Sequence, residues 1–204
     1  NKYMDYKIEN FDIYALVDSY EFALACIEAD IRVIQYRDKH LSDDEYMEVA
    51  KKIQAACKDR AIFIINDRLS VAREIKSDGV HLGQDDEDFK KALGEFTIVG
   101  VSASNLAQAQ EAQESGATYI GVGAIFPTNN KLDAKIVGLD GLKEIASKVD
   151  MPIAAIGSIT ENNLLEVLEQ GADCAAFIGE LYGSYKEGNL KEKVDNLRKI
   201  FKNK

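Results

Sequence analysis

Three polar residues, Gln35, Arg37 and Lys39, alternate with Tyr36 and Asp38 where an apolar run, Ile31–Tyr36, comes to an end. Side chains two apart on an extended strand share a face, so an amide, a guanidinium and an ammonium should converge from one strand end. That set suits a polyphosphate. A solvated edge carrying unrelated charges is the competing reading. A carboxylate follows the next run, Ala61–Ile65, in Asn66-Asp67-Arg68, and an acidic pair, Asp85-Asp86, ends the stretch that begins at Asp78. Carboxylates from neighbouring strand ends beside phosphate-binding cations would form a Mg²⁺ site, since magnesium takes one or two protein carboxylates, several waters and phosphate oxygens. Capping of a helix containing Phe89 and Leu93 accounts for Asp85 and Asp86 equally well.

Further along, Gly100-Val101-Ser102 offers a short hydroxyl that can bond a small ligand or cap a helix. A long segment rich in Asn, Asp and Lys, including Thr128, Asn129, Asn130 and Lys131, has the character of a binding loop or lid. Gly157-Ser158 and Ile178-Gly179 close the last two apolar runs, where backbone N–H groups are placed to hold phosphate. His81, inside a run, reads as a packed, hydrogen-bonded core residue rather than a catalyst, and His40 is discounted in the same way.

Eight apolar runs must position these groups: Ile13–Val17, Ile31–Tyr36, Ala61–Ile65, Gly79–Leu82, Thr97–Val101, Tyr119–Ile125, Pro152–Ile156 and Cys174–Ile178. Each is followed by a helix-like stretch, which implies parallel strands with helical crossovers. The expected fold is α/β, a single (β/α)8 TIM barrel with short connections spanning residues 1–204, with 1–10 as an arm over its lower end. Ser42-Asp43-Asp44-Glu45 is a capping box, Asn105 with Gln108 opens another helix that Gly116 stops, and Leu190–Phe201 should close the barrel as helix eight.

Composition limits the partners. In 204 residues, 35 acidic against 25 basic side chains give a net charge of −10, which disfavours a general nucleic-acid surface. An anionic substrate must therefore be drawn in by local cations. Cys26, Cys57 and Cys174 are an odd number at wide spacing, unlike a disulfide framework or a zinc site. No run approaches the roughly 20 apolar residues of a membrane span, and no signal-peptide pattern opens the chain. The expected setting is the cytoplasm and the expected partners are small phosphorylated molecules. Homo-oligomer formation is left open.

Taken in order, the words Gln35-Tyr36-Arg37-Asp38-Lys39, Ile65-Asn66-Asp67, Asp78 to Asp86, Gly100-Val101-Ser102 and Gly121 to Lys131 resemble the thiamine phosphate synthase family. The resemblance runs from about Ile13 to Tyr182. It implies that Gln35, Arg37, Lys39, Asn66, Ser102 and Lys131 hold an aminopyrimidine diphosphate, with Arg37, Lys39 and Lys131 as the catalytic cations. It also implies Asp67 and Asp86 on Mg²⁺. Thr128, Asn129, Asn130, Gly157, Ser158, Ile178 and Gly179 would hold a thiazole phosphate, plain or carboxylated. Pyrophosphate would leave the pyrimidine CH₂ group, and the thiazole nitrogen would capture the resulting cation.

The chain departs from the family pattern on the thiazole side. Asn130 stands for a second threonine, Ser158 for the second glycine of a pair, and Gly179 for a serine. Two other readings follow: an isomerase like the related thiazole tautomerase, and a non-catalytic paralogue that binds a phosphorylated ligand. The diphosphate and metal words, and Ala124 where the tautomerase group would offer a histidine, favour the synthase.

Overall fold

A computed structural model describes residues 12–84, 87–128 and 135–204. Its strands are β1 Ile13–Val17, β2 Val33–Tyr36, β3 Ile62–Asn66, β4 Gly79–Leu82, β5 Ile98–Ala103, β6 Tyr119–Val122, β7 Ile153–Ala155 and β8 Cys174–Phe177. Between and after them run helices α1 Tyr20–Glu28, α2 Asp43–Cys57, α3 Leu69–Ile75, α4 Asp88–Ala92, α5 Leu106–Ser115, α6 Gly138–Lys148, α7 Leu164–Glu169, α8 Gly179–Glu187 and α9 Leu190–Lys202. The strands pair in chain order, all parallel, and β8 returns to β1, so the sheet closes into a (β/α)8 barrel.

The caps read from sequence are present. Ser42 Oγ accepts from the Glu45 N–H and Glu45 Oε1 accepts from the Ser42 N–H, each at 3.2 Å. This box fixes the start of α2, which buries Tyr46, Ala50, Ile53 and Cys57. Asn105 caps α5 through the Gln108 N–H at 2.9 Å, and Gly116 ends that helix at φ 92°, a left-handed turn that glycine enters without a Cβ penalty. One helix differs from expectation. The tail is α9, because the chain turns helical directly after β8 and forms α8 first. The proposed arm at 1–10 lies outside the described residues.

Alternating residues of each strand supply two cores. The outward set packs under the helices, while Tyr14, Leu16, Val33, Ile62, Ile64, Ile98, Tyr119 and Ala154 fill the barrel's interior. At the lower rim, side chains that precede strands accept from N–H groups within the first two residues of neighbouring strands. Asp78 accepts from Phe63 at 2.8 Å, Thr118 from Val99 at 2.9 Å and Asp173 from Ile153 at 2.8 Å. Asp78 therefore works at the end of the barrel remote from the mouth, although it opens one of the family words. The three cysteines are free and buried, as their spacing suggested. Burial pushes the Cys26 and Cys57 thiols up to about 12, so neither supplies a thiolate near neutral pH.

Candidate active site

A cavity of about 970 Å³ opens among the C-terminal strand ends, large enough for two small ligands side by side. On the arc from β2 to β5 its wall carries Gln35, Arg37, Asn66, Asp67 and Ser102. On the arc from β6 to β8 it carries Thr128, Gly157, Ser158, Ile178 and Gly179. The residues expected to hold the diphosphate thus share one arc and those expected to hold the second phosphate share the other. Asp86, Asn129, Asn130 and Lys131 lie outside the described residues.

Lys39 requires a correction. The alternation Gln35, Arg37, Lys39 would share one face only if the strand continued, but β2 ends at Tyr36. Asp38 Oδ1 then accepts from the N–H groups of His40 at 2.7 Å and Leu41 at 2.9 Å, folding the segment into a turn. Lys39 is exposed on that turn and does not line the cavity. Arg68, from the same word as Asp67, holds this turn. Its guanidinium donates to the carbonyls of Asp38 at 2.8 Å and Leu41 at 2.7 Å, pairs with Asp43 at 2.8 Å, and lies over the Tyr46 ring.

Asp67 reaches the cavity by a backbone device. In a regular strand Asn66 and Asp67 would face opposite ways. At Asp67, however, φ is 63°, a left-handed conformation that costs energy for most residues but is tolerated best by Asn and Asp. Both side chains therefore line the cavity. The Asp67 N–H donates to the His81 carbonyl at 3.0 Å, tying β3 to β4 at this point. No group of three or more potential metal ligands occurs among the described residues. Magnesium does not require one, because water and substrate phosphate complete its six oxygens.

Beneath these groups a line of hydrogen bonds crosses the barrel. Asn66 Nδ2 donates to Gln35 Oε1 at 2.9 Å, and Gln35 Nε2 donates to the Tyr14 hydroxyl at 2.6 Å. The Tyr14 and Tyr119 hydroxyls are 2.6 Å apart, Tyr119 meets His81 Nδ1 at 2.8 Å, and His81 Nε2 meets Ser102 Oγ at 2.8 Å. Burial raises both phenols far above neutrality, so each keeps its proton. Burial, with the Arg37 charge adding to it, pushes the His81 imidazole down to about 4. His81 is thus hydrogen-bonded, as its sequence setting implied, yet it also faces the ligand space. Tyr14 and Tyr119 had no signal beyond membership of apolar runs.

A pH prediction follows from His81. Unfolding restores its value to about 6.5, so between pH 6.5 and 4 the unfolded chain binds a proton that the folded chain excludes. The stabilisation from the neutral ring is fully present above about 6.5 and is lost as pH falls toward 4. It amounts to about 1–3 kcal/mol, at roughly 1.4 kcal/mol per pKa unit. Urea unfolding at pH 7 and pH 4.5 should show a larger loss for the native chain than for His81→Gln. Equal losses would show that His81 does not contribute.

On the opposite arc, Gly157 sits at φ 121°, and a Cβ there would lie 2.6 Å from the Ile125 nitrogen, so only glycine fits. Ser158 takes the strained φ of 51° and donates its hydroxyl to the Pro127 carbonyl at 2.9 Å, while Asn163 holds its carbonyl at 3.0 Å. The serine that replaces the family's second glycine therefore ties the end of β7 to the start of the long loop. Gly179 opens α8, whose first turn has no side-chain cap. Lys135 and Glu180 also line the cavity. The Glu180 carboxylate pairs with Lys193 at 2.8 Å, which reduces its repulsion of an anionic ligand.

Known proteins resemble the chain in both sequence and fold. The profile of the family described as thiamine monophosphate synthase matches residues 12–181. A thiamine-phosphate synthase of Clostridium tetani is 39% identical over 208 residues, covering 98% of each chain. One from Methanosarcina mazei is 39% identical over 179 residues, covering 85% of this chain and 75% of that protein. A solved thiamine phosphate pyrophosphorylase from Pyrococcus furiosus superposes with a TM-score of 0.86 at 32% identity, covering 96% of this chain and 97% of the other. With the family profile covering most of its length and relatives matching it in sequence and in fold, the chain belongs to the thiamine monophosphate synthase family.

Proposed function

We propose that the barrel is a thiamine-phosphate synthase, a transferase that joins an aminopyrimidine-methyl diphosphate to a thiazole phosphate and releases pyrophosphate. The observation that carries this reading is the division of one cavity into two arcs, with Arg37 and Asp67 on one and the glycine-bearing ends of β7 and β8 on the other. A two-substrate condensation needs such a division, because its rate depends on holding both reactants in line. The C–O bond between the pyrimidine CH₂ and the diphosphate breaks with its electron pair leaving on pyrophosphate, and the thiazole nitrogen lone pair forms the new C–N bond.

Arg37 would hold the departing diphosphate through paired N–H donors, and Lys131 would add a second cation from the loop. Asp67 and Asp86 would hold Mg²⁺, which when bound supplies positive charge against the diphosphate oxygens. Lys39, on the rim turn, is the least supported of the expected cations. Ala124 lines the cavity where the tautomerase reading needs a histidine, so that reading has no base at this point. The test is pyrophosphate release with both substrates and Mg²⁺, each omitted in turn. Release should require all three components, and its absence from the complete mixture would overturn the proposal.

The altered second arc has its own expected result. A Cβ at Gly179 would meet nothing within 4 Å, so Gly179→Ser adds a hydroxyl donor without a clash. One such bond is worth about 0.5–1.5 kcal/mol. The KM for thiazole phosphate should fall about two- to tenfold while the KM for the pyrimidine substrate stays constant. Weaker acceptor binding would mean that the phosphate sits away from α8.

A further inference from the structure

The hydrogen-bonded line beneath the cavity has a direction. Tyr14 carries one hydroxyl proton. It accepts from Gln35 Nε2, and because the hydroxyl is buried its own proton needs an acceptor, which the Tyr119 oxygen 2.6 Å away supplies. Tyr119 must then give its proton to His81 Nδ1, which leaves the ring proton on Nε2, facing Ser102 Oγ. Ser102 accepts that bond, so its own O–H is not spent on His81 and can be donated into the cavity. The direction follows from the one-proton limit of each group together with the cost of leaving a buried O–H without an acceptor.

We propose that Gln35, Tyr14, Tyr119 and His81 act as a polarised relay that keeps the Ser102 hydroxyl proton free to be donated to the ligand. Deepening the synthase reading, on which its functional part rests, this inference assigns the Ser102 subsite to a ligand acceptor atom, a phosphate oxygen or an unprotonated ring nitrogen. At the other end of the line, Asn66 uses its nitrogen on Gln35, which turns its side-chain oxygen into an acceptor for a ligand N–H. Tyr14, Tyr119 and His81 are positioning residues, because they act through Ser102.

The backbone makes room for this line at two glycines. A Cβ on Gly100 would fall 2.1 Å from Cζ of Tyr119, and one on Gly121 would fall 3.1 Å from Cε1 of His81. The Tyr119 tip therefore occupies space that any side chain at 100 would fill, and one at 121 would crowd the imidazole. A solely structural core would close such gaps with aliphatic side chains, whereas here the vacated wall is used to bring a phenol to an imidazole.

The tautomer of His81 tests the direction in the native, ligand-free protein. The chain has 2 histidines, so a long-range ¹H–¹⁵N correlation spectrum with a His40→Gln control assigns both rings. His81 should show an unprotonated Nδ1 and a protonated Nε2. The opposite tautomer would reverse the bonds joining Ser102, His81, Tyr119 and Tyr14 and overturn the proposal, whatever the enzyme's activity. Tyr14→Phe removes the polarising link two residues away from the imidazole. It should convert the single His81 tautomer into a mixture and raise the KM for the pyrimidine diphosphate about three- to tenfold, with kcat changing less. Tyr119→Phe should do the same by removing the donor itself. An unchanged tautomer and KM in a folded Tyr14→Phe protein would show that polarity is not transmitted. Failure of pyrophosphate release in the native enzyme would instead remove the synthase reading and leave the tautomer result standing.

Discussion

Asp67→Asn is expected to lower pyrophosphate release by about 10²–10³-fold, the scale for losing one preorganised charge stabiliser at a reacting centre. Asparagine is the informative replacement because it keeps the side chain's size and also tolerates the left-handed φ of 63° at this position. Alanine would combine loss of charge with backbone strain. The Asp67 N–H to His81 carbonyl bond belongs to the main chain and survives the change. Thermal unfolding should therefore stay within a few degrees of the native value, while the Mg²⁺ concentration giving half-maximal rate rises. A folded Asp67→Asn enzyme with near-native turnover and unchanged magnesium dependence would remove Asp67 from the metal site.

The backbone twist at Asp67 illustrates what the sequence can and cannot convey. The strands were legible because a parallel barrel buries both faces of its sheet, so each strand appears as a near-continuous apolar run. Their ends were less so. The run ending at Tyr36 invited extrapolation of a two-residue period through Lys39, and only the bonds from Asp38 to His40 and Leu41 reveal that the strand has stopped. Asp67 presents the converse case. Strand alternation turns it away from Asn66, and a positive φ turns it back.

Helix starts with side-chain caps, Ser42 and Asn105, were legible from local chemistry alone. The start of α8 has no such cap and follows β8 with a single intervening residue, so it left no signal. The relay was hidden for another reason. Tyr14 and Tyr119 are spelled like core residues, and their function depends on hydroxyls that meet across 105 residues of sequence. His81 gave the right local reading, a hydrogen-bonded histidine, but its partners lie on strands β5 and β6. Long-range pairing of polar tips inside a barrel is set by shear and register, which a residue pattern within one strand does not encode.

Arg37→Ala should weaken binding of magnesium pyrophosphate by about ten- to a hundredfold in calorimetry, the equivalent of about 1.5–3 kcal/mol for a hydrogen bond to a charged group. Three features place the expected loss at Arg37. It follows β2 directly and lines the cavity, whereas Lys39 stands on the turn outside it. Its charge is felt by His81, whose protonation it helps to suppress, so the guanidinium's field already reaches the cavity floor. The protein as a whole is acidic, with a net charge of −10, so a diphosphate gains little from the distant surface and depends on cations at the mouth. Arg37→Lys should recover less than half of the lost binding free energy, because an ammonium keeps the charge but cannot make two parallel N–H bonds to neighbouring oxygens. Lys39→Ala, measured alongside, should change the affinity less than threefold. Should Lys39→Ala prove as damaging as Arg37→Ala, the turn after β2 must close over the ligand, and the period-two reading of Gln35, Arg37 and Lys39 would hold for the bound enzyme. Unchanged affinity in Arg37→Ala would remove the guanidinium from the diphosphate site and shift that role to Lys135 or to the cation on the loop.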